Sequence, residues 1–159
     1  MKKLKIILLL FAFIALGSSG CKKESSEISK SHLGEPFSIK ANENKSLTPV
    51  KSENSTSDSS LTVSFEKVVY DSRCPKESCY LCYGSSAQIQ VLLLSQKKSA
   101  SILLTIPGCQ DEFNCDNQLY YRKDTLGYRI CFLRLDPYPE GKTPINLSNY
   151  TAKLNISKL

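Results

Sequence analysis

The tail of this chain constrains its fold more than any other stretch. Tyr150, Ala152, Leu154 and Ile156 alternate with Thr151, Lys153, Asn155 and Ser157. A strict two-residue period places one apolar row on one face of a strand, whereas a helix needs a repeat near 3.6. The same pattern recurs upstream. Phe37, Ile39 and Ala41 alternate with Ser38 and Lys40, which predicts a half-buried strand over Pro36–Ala41. In Leu61–Tyr70, Leu61, Val63 and Phe65 share a face. The register then breaks at Glu66-Lys67 before Val68 and Tyr70, which predicts a bulge. Ala87–Leu94 carries Ala87, Ile89, Val91 and Leu93 on one side. A polar turn, Gln96–Ala100, joins it to Ser101–Ile106, so the two strands form a hairpin. Leu119–Tyr121 is a candidate short strand. Leu126–Leu135 is a long one with Leu126, Tyr128, Ile130 and Phe132 aligned, stopped by Pro137 and Pro139. No helical stripe follows residue 20. Six or seven short strands joined by turn residues predict an all-β fold, an antiparallel, immunoglobulin-like β-sandwich.

The N-terminus is of another kind. Met1–Lys5 is lysine-rich, and Ile6–Leu16 is almost pure Ile, Leu, Phe and Ala. A spanning helix needs about 20 apolar residues, so this run is too short to cross a bilayer. A basic start, a short apolar centre and the small residues Gly17-Ser18-Ser19-Gly20 make a secretory signal, and Cys21 follows directly. That arrangement resembles the lipobox of bacterial lipoproteins, with Ser18 where Leu is usual. The resemblance implies cleavage before Cys21, acylation of its thiol and anchoring to the membrane by lipid. Lys22 is not the Asp that retains lipoproteins in the inner membrane in well-studied Gram-negative systems, so the outer membrane is favoured.

The expected organisation is a signal peptide over 1–20, a lipidated Cys and flexible tether over 21–33, and one sandwich domain over 34–159. Within that domain, the polar stretch 42–60 is expected to be a long exposed loop. Three of the lysines behind the formal charge of +6 lie in the signal. The remainder carries about +3, too little and too scattered for a nucleic-acid surface. The single His, His32, lies in the tether. The domain therefore lacks the commonest general base and the commonest zinc ligand. No nucleophile–base set and no phosphate loop is present, so neither an enzyme nor a cofactor is expected.

Six cysteines remain beyond Cys21: Cys74, Cys79, Cys82, Cys109, Cys115 and Cys131. An even set in an exported domain predicts three disulfides. Six cysteines allow 15 pairings. One expected set joins Cys109 with Cys115, Cys74 with Cys79, and Cys82 with Cys131. Two other uses compete. Cys79-Tyr80-Leu81-Cys82 has redox spacing, but Gly84 and a strand follow it rather than a helix. Cys74, Cys79, Cys82 and one of Cys109 or Cys115 match a four-thiolate zinc set without paired knuckles. In the acidic loop Cys109–Asn117, the oxygens of Asp111, Glu112, Asn114, Asp116 and Asn117 suit calcium but miss the EF-hand pattern. A solvated loop is the simpler expectation.

The order Gly34-Glu35-Pro36-Phe37, Leu61–Tyr70, Asp71-Ser72-Arg73-Cys74-Pro75, Gly84, Gly127-Tyr128-Arg129-Ile130 and Leu135-Asp136-Pro137-Tyr138-Pro139 resembles a group of small exported bacterial domains of no established activity. Two departures stand out. The group's Trp position falls on Cys82, and its second Cys falls on Tyr80, beside Cys79. The resemblance therefore implies a re-paired first disulfide and a missing aromatic plug. Asp71 and Arg73 are expected either to brace a turn or to face a ligand. Tyr80, Tyr83, Tyr120, Tyr121 and Tyr138 would make an adhesive surface if exposed together. The expected role is a non-catalytic binding or scaffolding lipoprotein of the cell envelope. Its candidate surface includes Asp71, Arg73, Tyr80 and Tyr83, and its partner is an envelope protein or ligand. The alternative is a thiol-redox or metal-handling protein built on Cys74, Cys79 and Cys82.

Overall fold

The computed structural model describes residues 31–49, 60–81, 84–96, 98–110, 112–115, 121–140 and 144–159. Cys21, Cys82, Tyr83, Asp111, Asp116, Asn117, Tyr120 and the whole stretch 50–59 lie outside the described residues.

Among the described residues, nine strands make two facing sheets. They are β1 (Ser31–His32), β2 (Pro36–Lys40), β3 (Asn44–Thr48), β4 (Leu61–Asp71), β5 (Ser86–Ser95), β6 (Lys98–Pro107), β7 (Arg122–Thr125), β8 (Tyr128–Asp136) and β9 (Thr151–Lys158). The first sheet runs β1-β3-β4-β5-β6 and the second β2-β9-β8-β7. Every pairing is antiparallel except the two-residue β1 on β3. The sandwich follows from the alternation. Leu61, Val63, Phe65, Ile89, Val91 and Leu93 line one inner face, and Ile39, Ile130, Phe132, Leu154 and Ile156 line the other, all essentially sealed from solvent. Burying a side chain of this size contributes about 1.5–3 kcal/mol.

The predicted bulge in β4 is present between Phe65 and Lys67, and a second lies between Val68 and Tyr70. The extra residue at the first bulge returns Val68 to the core. The β5–β6 hairpin also forms, with Ser95 opposite Lys98.

Three expectations on chain organisation are corrected. The segment 42–60 is not one loop, because Asn44–Thr48 is β3 and its Leu47 is fully buried. Asn42 takes a left-handed conformation (φ 65°), and its N–H donates to Phe65 O at 2.7 Å, which carries the chain from one sheet to the other. The stretch 21–33 is not all tether. Ser31–His32 pairs as β1, and Leu33 packs on the core. Leu126 is not in a strand. With Gly127 it makes a two-residue turn with φ of 52° and 80°, the positive values that suit the twist of a tight hairpin between β7 and β8.

The β1 end and the Cys-rich end lie at opposite poles. β1, the start of β4, the start of β8 and the end of β9 share one pole through the pairs Ser31–Leu47, Leu47–Leu61 and Tyr128–Lys158. The end of β4, the start of β5, the ends of β6 and β8, and the start of β9 share the other. Strands of about ten residues at roughly 3.3 Å each separate the poles by about 30 Å.

Candidate functional site

The Cys-rich pole is organised around Arg73. β4 ends at Asp71, and the chain turns inward at Ser72-Arg73. Arg73 is only 5% exposed, the one buried charged residue among those described. Its Nε donates to Asp71 Oδ1 at 2.9 Å and its Nη2 to Oδ2 at 2.7 Å, a bidentate pair. Its Nη1 donates to Leu135 O at 2.7 Å and its Nη2 to Pro137 O at 3.0 Å, across the sandwich. The Asp71 carboxylate also accepts the Arg73 N–H at 3.1 Å and the Tyr150 hydroxyl at 2.9 Å. One ion pair thus ties β4 of the first sheet to β8 and the start of β9 in the second. Burial and the adjoining Asp71 carboxylate push the Tyr150 hydroxyl up to about 12.

Tyr138 closes this cluster. Its ring centroid lies 4.9 Å from the Arg73 guanidinium and 5.6 Å from Lys76 Nζ, within cation–π range. Its hydroxyl accepts the Cys109 N–H at 2.9 Å. Cys109 itself sits at φ 70°, just after Gly108, whose N–H donates to Ser85 O at 2.7 Å.

The disulfides overturn the expected pairing. Cys79 bonds Cys109, with Cα atoms 5.4 Å apart, and Cys115 bonds Cys131 at 5.8 Å. Both separations suit a disulfide. Cys109 therefore does not close a local loop with Cys115, Cys79 does not pair with Cys74, and Cys131 does not pair with Cys82. Cys74 is disulfide-bonded as well. The physical reason is that the end of β6 lies beside the short 3-10 turn Lys76–Leu81, while Cys131 on β8 faces the loop 112–115. The spacing of cysteines along the chain carries neither proximity. Because Cys79 bonds across to Cys109, the C-x-x-C pair is not a dithiol hinge. Among the described residues, no three His, Cys, Asp or Glu side chains converge as a metal site.

The acidic loop is also corrected. Phe113 belongs to the core, its N–H donates to Leu133 O at 2.8 Å, and its ring lies 4.9 Å from that of Tyr121. Beyond Tyr121 this segment takes over from β7 as the neighbour of β8. Glu112 pairs with Lys153, which holds its carboxyl below the usual range. The alternation of the neighbouring strands gave no signal for Phe113, because it stands alone in a polar stretch.

The sequence-predicted surface is divided by the fold. Asp71 and Arg73 are interior and spent on each other. Tyr121 is buried, and Tyr138 is occupied by Arg73 and Cys109. Tyr80 is 76% exposed, and its neighbour Leu81, which sequence reasoning passed over, is 68% exposed. Both stand on the turn pinned by the Cys79–Cys109 disulfide. Beside them, an open groove of about 670 Å³ runs between Lys76, Glu77, Asp136, Tyr138 and Glu140. The arrangement offers a rigid apolar tip next to a groove of mixed charge.

No family model matches this chain, and no curated protein or solved structure shows significant similarity to it.

Proposed function

We propose that this protein is a lipid-anchored lipoprotein of the bacterial cell envelope that binds a partner, without catalysis, through its Cys-rich pole. Acylated Cys21 holds it to the membrane, the outer membrane by the residue that follows the Cys. The single observation that carries the binding surface is the exposure of Tyr80 and Leu81 on a turn fixed by the Cys79–Cys109 disulfide. Exposed large apolar side chains on a rigid support lose little conformational freedom on docking, and Tyr is favoured at interfaces. The position of β1 also supports the reading. The described chain starts at the pole opposite Tyr80, so an anchor preceding it leaves the tip facing away from the membrane.

Two measurements on envelope preparations test this. Intact mass of the membrane-extracted protein reads acylation at Cys21, and a Cys21→Ala variant that remains in the membrane fraction would reject the lipid anchor. A photo-crosslinking residue at position 80 is expected to yield a discrete adduct that the same residue at position 159 does not. Equal adducts from both poles would reject the Cys-rich pole as the binding surface.

A further inference from the structure

The two sheets have four edges, and three of them are guarded. β1 is two residues long. β2 carries Pro36 and Lys40, and Lys45 Nζ donates to Ser38 O at 2.8 Å, which caps one of its edge carbonyls. β7 reads Arg122-Lys123-Asp124-Thr125 and presents charge along most of its length. These are the usual means of preventing strand-to-strand association. The fourth edge, β6, carries a lysine and a proline only at its two ends, Lys98 and Pro107. It is ten residues long, and from Ser99 to Ile106 it holds no charge and no proline; its pairing with β5 contains no bulge.

Its open hydrogen-bonding groups are identified by register. The Gly108 N–H donates to Ser85 O directly opposite, in the frame that pairs Ile106 with Ala87 and Leu104 with Ile89. In an antiparallel ladder the bonded positions alternate. The even-numbered residues of β6 therefore bond β5, and Ser99, Ser101, Leu103, Thr105 and Pro107 turn their backbone groups away from the sheet. Among the described residues, no strand other than β5 pairs with β6. Leu103, midway along this row, is 47% exposed.

We propose that β6 pairs with β6 of a second copy of this chain, antiparallel, with Leu103 on the two-fold axis. The pattern is self-complementary about that residue. Leu103 meets its own equivalent, Ser101 lies opposite Thr105 of the partner, and Ser99 lies opposite Pro107, whose carbonyl accepts the Ser99 N–H while its missing N–H leaves the Ser99 carbonyl to solvent. About eight backbone hydrogen bonds form across the axis. Charge selects this arrangement over a parallel one. The only charge on the strand is Lys98 at its start, and antiparallel pairing separates the two lysines by roughly 30 Å, whereas parallel pairing would set them about 5 Å apart. The product is one continuous ten-stranded sheet with both lateral β6 edges removed.

The test is amide hydrogen exchange on the membrane-extracted protein in detergent, with sedimentation to read its mass. The expected result is a dimer in which the Ser101, Leu103 and Thr105 amides are protected alongside those of Ile102 and Leu104. Leu103→Lys places two ammonium groups opposite each other. It is expected to weaken the dimer about tenfold or more and to expose the odd-numbered amides alone, with Ile102 and Leu104 still protected by β5. Leu94→Lys, on the same outer face but one strand in, is expected to leave the dimer intact. Fast exchange of the odd-numbered amides at every concentration would overturn the proposal. So would equal loss of dimer in Leu94→Lys, which would mean association through the sheet face.

Discussion

Arg73 shows how much one residue holds at the Cys-rich pole. Its guanidinium satisfies Asp71 and two carbonyls of the opposite sheet, and its side chain is almost wholly inside. Removing one partner of a buried pair leaves the other charge uncompensated. Arg73→Ala is therefore expected to cost about 3–5 kcal/mol in urea unfolding. Arg73→Lys is expected to recover little, because an ammonium cannot span Asp71 and both carbonyls at once. Tyr150 offers an independent readout. Its raised pKa of about 12 means that the folded state favours the neutral phenol. That stabilisation is fully present below pH 10, the ordinary tyrosine value, and is lost as pH rises from about 10 through 12. In an absorbance titration one tyrosine should ionise late, and Tyr150→Phe should remove that late component and flatten the alkaline loss of stability. Gly108 is required by space alone. A Cβ there would fall on the Ser85 hydroxyl and come 3.1 Å from Ser85 Cβ. Gly108→Ala is expected to cost about 1–3 kcal/mol, and much of that loss should be recovered in a Gly108→Ala/Ser85→Gly double variant.

At the scale of elements, alternation made the long strands legible. β9, β5 and the first half of β4 were readable because each pairs an apolar row with a polar one. β3 was not, because Asn44–Thr48 buries a single large side chain, Leu47, and its other positions are polar. The β7–β8 hairpin was misread for a related reason. Leu126 continues the apolar row of β8 in sequence, but the backbone reverses there, and the strand starts at Tyr128. The disulfides join elements rather than neighbours in sequence. Cys79–Cys109 spans 30 residues and Cys115–Cys131 spans 16. Loop-closure entropy assigns each roughly 3–4 kcal/mol. Replacing Cys79 and Cys109 together by Ser is expected to lower stability by about that amount. Proteolytic mapping without reduction should return peptides joined as Cys79–Cys109 and Cys115–Cys131. Cys74 is bonded too. With Cys21 acylated as proposed, Cys82 is the cysteine that remains for it, and a Cys74–Cys82 peptide is the expected third product.

For the whole molecule, the two poles divide the work. One receives the chain at β1, and the other carries the Arg73 cluster, the Cys79–Cys109 bond and the Tyr80–Leu81 tip. Because that tip is exposed, Tyr80→Ser with Leu81→Ser is expected to shift thermal stability by no more than about 0.5 kcal/mol while abolishing the position-80-dependent interaction. A large drop in melting temperature would instead make the tip part of the core. The sequence by itself determined the β-class, the two-layer burial, the bulge at Glu66-Lys67 and a cysteine content that suits disulfides. Each of these follows from local period or composition, which a linear reading preserves. Only the tertiary structure decided which cysteines meet, that Asp71 and Arg73 face inward, that Phe113 seals the flank of β8, and that β6 is an edge with no second strand beside it among the described residues. Those depend on which strand ends share a pole and which residues lie across the sandwich, and distance along the chain does not encode them.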